Sequence, residues 1–201
     1  EMRDLGYTGE SAKEEFSASV DYLVHFAGWC DKYVQVFSSV NPVASSHFNF
    51  SVPEPMGVVA AFASNKTALL GFLESFVPAI CGGNTAIVLA SEDMPTCAMS
   101  MAEVIATSDV PGGTVNVLTG NRKELLSHFA SHMDVNGFVI WDAETAASIE
   151  IGELASENVK RVKFYKSDDS AVLVPHRIMD LQEIKTTWHP IESISGASSG
   201  Y

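Results

Sequence analysis

Short apolar runs alternate along most of this chain with stretches in which apolar residues recur every three to four positions. The runs at 57–63 (GVVAAFA), 84–90 (NTAIVLA), 114–120 (TVNVLTG), 137–141 (GFVIW) and 159–165 (VKRVKFY) read as strands. Between them, TALLGFLESFVPAICG, MPTCAMSMAEVIATS, NRKELLSHFASHM and DAETAASIEIGELAS read as helices. Strands that alternate with helices predict βαβ crossovers and a parallel sheet covered on both faces. The nearly continuous apolar character of the runs fits burial from both sides. Gly82-Gly83-Asn84 marks a helix stop and a turn, and Pro95 marks a helix start.

Outside this block the pattern changes. Residues 11–37 place Phe16, Val20, Leu23, Val24, Ala27 and Tyr33 on one predicted helical stripe. Residues 38–55 are broken by Pro, Ser and Asn, with a short strand or hairpin predicted at 47–52. In the tail, SAVLVP (170–175) and DLQEIKTTWHPIE (180–192) have strand character, and SISGASSGY is a loose end. The expected fold is α/β: a Rossmann-like parallel sheet of about five strands with helices on both faces, plus an N-terminal helix and a small strand or hairpin element. The expected divisions are 1–53, 54–169 and 170–201.

Composition narrows the function. The 201 residues are 46% hydrophobic, enough for a sizeable core, and the net charge is -13 (12 basic against 25 acidic residues). A surface this acidic repels nucleic acid and acidic membranes, so neither is an expected partner. Three scattered cysteines, Cys30, Cys81 and Cys97, argue against a disulfide framework. They fit a reducing, cytoplasmic compartment and inert buried thiols. His128 and His132 stand four apart on one predicted helix, but no third metal ligand accompanies them. Asp168-Asp169 is only a weak metal pair, so no metal site is expected. The chain starts at Glu1 and reads as a piece of a longer protein.

Ordered motifs carry a resemblance. EPMGVVAAF, PAICGGNTAIVLASEDMPTCAMSMAEVI, VPGGTVNVLTG, ASHMDV and NVKRV resemble, in order and spacing, the NAD-binding domain of the aldehyde dehydrogenase superfamily. LVHFAGWCDKY resembles the helix before that domain. The match covers roughly residues 16–165 and is most similar to the inactive C-terminal module of the two-module family 16 members.

The resemblance implies a set of active parts, most of them altered here. The position of the oxyanion-stabilising Asn holds Lys66, with Asn65 one residue off. The ribose-holding Lys position holds Leu89, while the ribose-contacting Glu survives as Glu92. The Phe-Thr-Gly-Ser turn that approaches the cofactor reads Ile140-Trp141-Asp142-Ala143, and the general-base Glu position holds Tyr165. The nucleophilic cysteine belongs to a catalytic domain absent from this chain, which has no cysteine after Cys97.

Trp141 is therefore expected to plug the cofactor crevice, and Asp142 to repel the pyrophosphate. On this reading the chain binds no cofactor, or NAD only weakly. It serves as a pseudoenzyme in assembly, scaffolding or regulation within a two-module protein. The alternatives are a nucleotide sensor and an NAD(P)-dependent aldehyde oxidoreductase whose catalytic cysteine lies in another module. The resemblance also implies a homo-oligomer, a dimer through the C-terminal strand, the alternative being that 183–192 folds back as an edge strand on its own monomer. EIKTTWHPIE (183–192) is expected to leave its own subunit and join a neighbour's sheet near 47–52, with Ile184, Thr186 and Trp188 on one face.

Overall fold

A computed structural model describes residues 1–167 and 173–191. Asp168-Asp169, residues 170–172 of the strand expected at 170–175 and the loose end lie outside the described residues, while 173–175 form no strand.

The chain runs α1 (Gly9–Ala27), α2 (Tyr33–Phe37), β1 (Ser39–Asn41), β2 (His47–Pro55), β3 (Val58–Phe62), α3 (Leu70–Cys81), β4 (Thr85–Leu89), α4 (Thr96–Thr107), β5 (Val115–Leu118), α5 (Arg122–Ser131), β6 (Gly137–Trp141), α6 (Thr145–Ser156), β7 (Arg161–Tyr165), α7 (His176–Met179) and β8 (Gln182–Pro190). Five strands pair in parallel in the order β5-β4-β3-β6-β7. A separate antiparallel sheet has the order β1-β2-β8.

Period-two alternation sends the strand side chains into two cores. Val59, Ala61, Val88, Val139 and Trp141 meet Tyr22, Phe26, Phe72, Phe76 and Ile178 of α1, α3 and α7, with Ala98 of α4. Ala60, Phe62, Leu89, Phe138 and Ile140 meet Phe129 and Ala130 of α5 and Ile151 of α6. Helices on both faces fit the fully buried β6.

The predicted stripe of the first helix is turned. Phe16, Val20 and Val24 are exposed, and Glu15, Ser19, Tyr22 and Phe26 face inward. The reason is the start of α3, where Leu69 supplies no side-chain cap. Glu15 Oε1 instead accepts Leu69 N–H at 2.7 Å and Leu70 N–H at 3.1 Å, filling orphan donors from a neighbouring helix. The helix also breaks after Ala27, so Tyr33 belongs to α2.

At the end of α3, Gly82 admits the Gln182 amide, which donates to Gly82 O at 3.0 Å. A Cβ there would overlap that amide. β8 is seated by this contact and then pairs with β2 of the same chain over nine residues, from Pro55↔Gln182 to His47↔Pro190. The expected strand departure to a neighbour is therefore not seen. β8 closes its own subunit's sheet and leaves only its outer edge unpaired.

Candidate functional site

β3 and β6 are neighbours whose following helices, α3 and α6, lie on opposite faces of the sheet. A crevice opens at such a switch point, beyond the carboxyl ends of the strands. Here it encloses about 390 Å³ between α5 and α6. Phe62, Leu126, Ile140 and Ile151 give it an apolar floor, and Lys66, Lys123, Glu92 and Glu144 stand around it.

Of the two predicted obstacles, only Asp142 reaches the crevice. Trp141 does not plug the crevice: it is 1% exposed and belongs to the opposite core. Ile140 faces the crevice, so the next residue along the strand must face away. Trp141 instead packs on Tyr165, with ring centroids 5.2 Å apart.

Asp142 does line the crevice, but its carboxylate is already engaged. It accepts Ser64 Oγ–H at 2.7 Å, Ser167 N–H at 3.0 Å and the Ser167 hydroxyl. Lys66 Nζ lies 3.6 Å away. Burial pushes the Asp142 pKa up, but the Ser167 and Ser64 hydrogen bonds and the Lys66 charge outweigh it and hold the carboxyl below its usual value. The backbone at Asp142 is left-handed, with φ 53°. Asp tolerates this conformation better than most residues, so it serves where the resemblance puts glycine. The residues at 66 and 142 thus face each other, and the Lys66 ammonium offsets part of the charge expected to repel a pyrophosphate.

Glu92 sits at the start of α5. It accepts Asn121 Nδ2–H at 2.6 Å and Arg122 N–H at 3.4 Å, where the helix end favours negative charge. Asn65 turns to the same loop and accepts Ser91 Oγ–H and Glu92 N–H at 3.0 Å. Leu89 is fully buried under the crevice and offers no polar contact, whereas Ala143 lines the crevice wall. Tyr165 is remote from the crevice and donates its hydroxyl to Asp180 Oδ2 at 2.7 Å. Burial, then that carboxylate, push its pKa far up. Ile184, Thr186 and Trp188 lie on β8, away from this site.

Two arginines were not foreseen. Arg122, one residue after the Asn121 cap of α5, donates to Trp141 O at 3.2 Å and to Ala63 O, tying the ends of β3 and β6 together. Burial pulls its pKa below the ordinary value, against the opposing charges of Asp142 and Glu92. Arg177 of α7 packs against both Trp141 and Tyr165, 4.9 and 4.8 Å from their ring centres. The Asn-Arg-Lys run after Gly120 was the available signal for Arg122; α7 offered none. No cysteine is among the described residues lining the crevice.

The fold and crevice define a nucleotide-binding α/β module, and comparison with known proteins gives its family. The family model "Aldehyde dehydrogenase family" matches residues 1–185. The chain belongs to that family. It is 29% identical over 174 residues to hydroxyisobutyraldehyde dehydrogenase of Mycolicibacterium austroafricanum, covering 87% of this chain and 34% of that protein. It is 32% identical over 145 residues to retinal dehydrogenase 2 of Mus musculus, covering 70% of this chain and 26% of that one. The crystal structure of PnpE in complex with nicotinamide adenine dinucleotide superposes with a TM-score of 0.63 at 29% identity, over 70% of this chain and 28% of that one. The chain thus spans about a third or less of the length of these relatives.

The expectation of no cofactor is corrected by these matches. The family and the NAD-complexed relative point to NAD(P) binding. The open crevice, the displaced Trp141 and the pairing of Asp142 with Lys66 are consistent with it. Among the described residues no helix is long and apolar enough to cross a membrane.

Proposed function

We propose that this chain is the nucleotide-holding module of an aldehyde dehydrogenase family protein, works without aldehyde chemistry of its own, and contributes to assembly or regulation. The crevice supports the first part. Its apolar floor suits a flat base, and Lys123 at its rim offers a cation to a nucleotide's negative charge. The observation that carries the second part is Tyr165. At the position where the resemblance puts the general base, this chain has a half-buried phenol committed to Asp180 on the far side of the sheet.

The test joins calorimetry with an aldehyde assay. The purified chain should bind NAD or NADP and generate no reduced cofactor from aldehydes. Lys123→Glu should weaken binding about tenfold. A chain that takes up neither nucleotide overturns the first part, and steady turnover overturns the second.

A second reading gives the chemistry to another module, whose thiol would meet a nucleotide held here. The crevice favours it, since no cysteine is among the described residues that line it. A longer form carrying that module should then turn over aldehydes and lose activity with Lys123→Glu.

The assembly role rests on the small sheet. The outer edge of β8 is unpaired, and Ile184 and Trp188 beside it are 56% and 57% exposed. A second copy adding to that edge would cover both. Thr186 is held to Ser51, hydroxyl to hydroxyl, at 2.8 Å and fixes the strand's register. Sedimentation should give twice the 21.6 kDa chain mass; a monomer at micromolar concentration overturns this role.

A further inference from the structure

Cys30 follows the turn after α1, and Cys81 is the last residue of α3. Their sulfurs lie 3.3 Å apart although 51 residues separate them in the chain. Both thiols also point at one acceptor, Phe26 O, at 3.5 Å from Cys30 and 3.3 Å from Cys81. Cys30 is exposed and Cys81 buried, so the expectation of three inert buried thiols fails at Cys30. Both line an apolar cleft of about 330 Å³ between α1, α3 and α4, on the far side of the sheet from the nucleotide crevice.

We propose that Cys30 and Cys81 form an oxidisable dithiol, a modification site at which a peroxide closes a disulfide between the turn after α1 and the end of α3. The geometry asks for little movement. The sulfurs must close from 3.3 Å to the disulfide length of about 2.05 Å, within reach of side-chain rotation at the exposed partner.

The chemistry takes two steps. The Cys30 thiolate attacks hydrogen peroxide, breaking the O–O bond, to give a Cys30 sulfenic acid and hydroxide. The Cys81 sulfur then attacks the sulfenyl sulfur, forming the S–S bond and breaking the S–O bond. Water leaves with the Cys81 proton. In sum, two thiols lose two electrons and two protons, and one peroxide becomes two waters. Burial, and after it the neighbouring Cys30 thiol, push the Cys81 pKa up, so the closing step is slow at neutral pH and quickens as pH rises. Cys97 is buried in α4 and takes no part.

The test treats the whole reduced chain with hydrogen peroxide and counts thiols after denaturation. The count should fall from three to one and return to three with dithiothreitol. Digestion with trypsin and a Glu-specific protease, which cuts at Glu92 between Cys81 and Cys97, should yield a Cys30–Cys81 linked peptide. The linkage should form faster at pH 9 than at pH 7, and the oxidised chain should unfold at a higher temperature. Cys97→Ser should still form it, and Cys30→Ser, changed at an exposed position, should not. The proposal is overturned if Cys30 ends as a sulfinic acid or a chain-to-chain disulfide while Cys81 stays free, or if the linked peptide contains Cys97.

Discussion

A carboxylate on the inner face of a helix needs partners, and Glu15 has two backbone N–H groups at the start of α3. Charged acceptors of this kind contribute more than neutral ones. Glu15→Ala is expected to cost about 1–2 kcal/mol in urea unfolding, with Glu15→Gln retaining part of it. Glu74, buried in the same helix, shows the opposite balance. Burial raises its pKa to about 7, against the attraction of Arg177 and with added repulsion from Asp142 and Glu15. The folded pKa lies above the unfolded value of about 4.5. Its stabilising protonated form is complete below pH 4.5, and that contribution is lost as pH rises toward 7. Glu74→Gln should therefore match the parent chain near pH 4 and exceed it at pH 8 by on the order of 2–3 kcal/mol, read from denaturant midpoints at the two pH values. Sequence patterning placed Phe16, Val20 and Val24 inside because they are apolar. It had no means to weigh an uncapped α3 that draws Glu15 inward.

The short helix α7 joins the tail to the sheet. Arg177 lies against both Trp141 and Tyr165, while Asp180 just beyond the helix takes the Tyr165 hydroxyl and, at 2.6 Å, Lys163 Nζ. Arg177→Ala should destabilise the fold by about 2–3 kcal/mol and red-shift tryptophan fluorescence as Trp141 meets water. Arg177→Lys keeps the charge but loses the flat stack, and should fall between. Four residues carry no periodicity, so α7 was illegible and the apolar 170–175 run was read as a strand. The identities at 141 and 165 were legible as departures from the family pattern, but Trp141 was expected in the crevice from which it turns away. In the register of β6 and β7, Trp141 stands opposite Tyr165, and one step of alternation sends both away from the crevice.

At the scale of the whole molecule, the five parallel strands were legible because each apolar run ends in turn residues, and both faces are buried by helices that announce themselves. The small sheet was legible only as parts. Nothing local tells β8 whether its partner is β2 of its own chain or of another, since the same register serves both. Trp188 separates fold from assembly. It is more than half exposed and meets the His47 ring edge-on, 5.9 Å away. Trp188→Ala should thus shift unfolding by less than about 1 kcal/mol. It should weaken dimerisation at least about tenfold in sedimentation, the loss expected of an aromatic anchor. The distance between partners also sets an order of events during synthesis. Thr186 is made 135 residues after Ser51, so β2 leaves the ribosome roughly 7–27 s before its partner at about 5–20 residues per second. Through that interval an aromatic strand carrying Phe48 and Phe50 waits with an open edge. Two nascent chains on one message can meet there first, and the pairing they would make is the same nine-residue register exchanged between subunits.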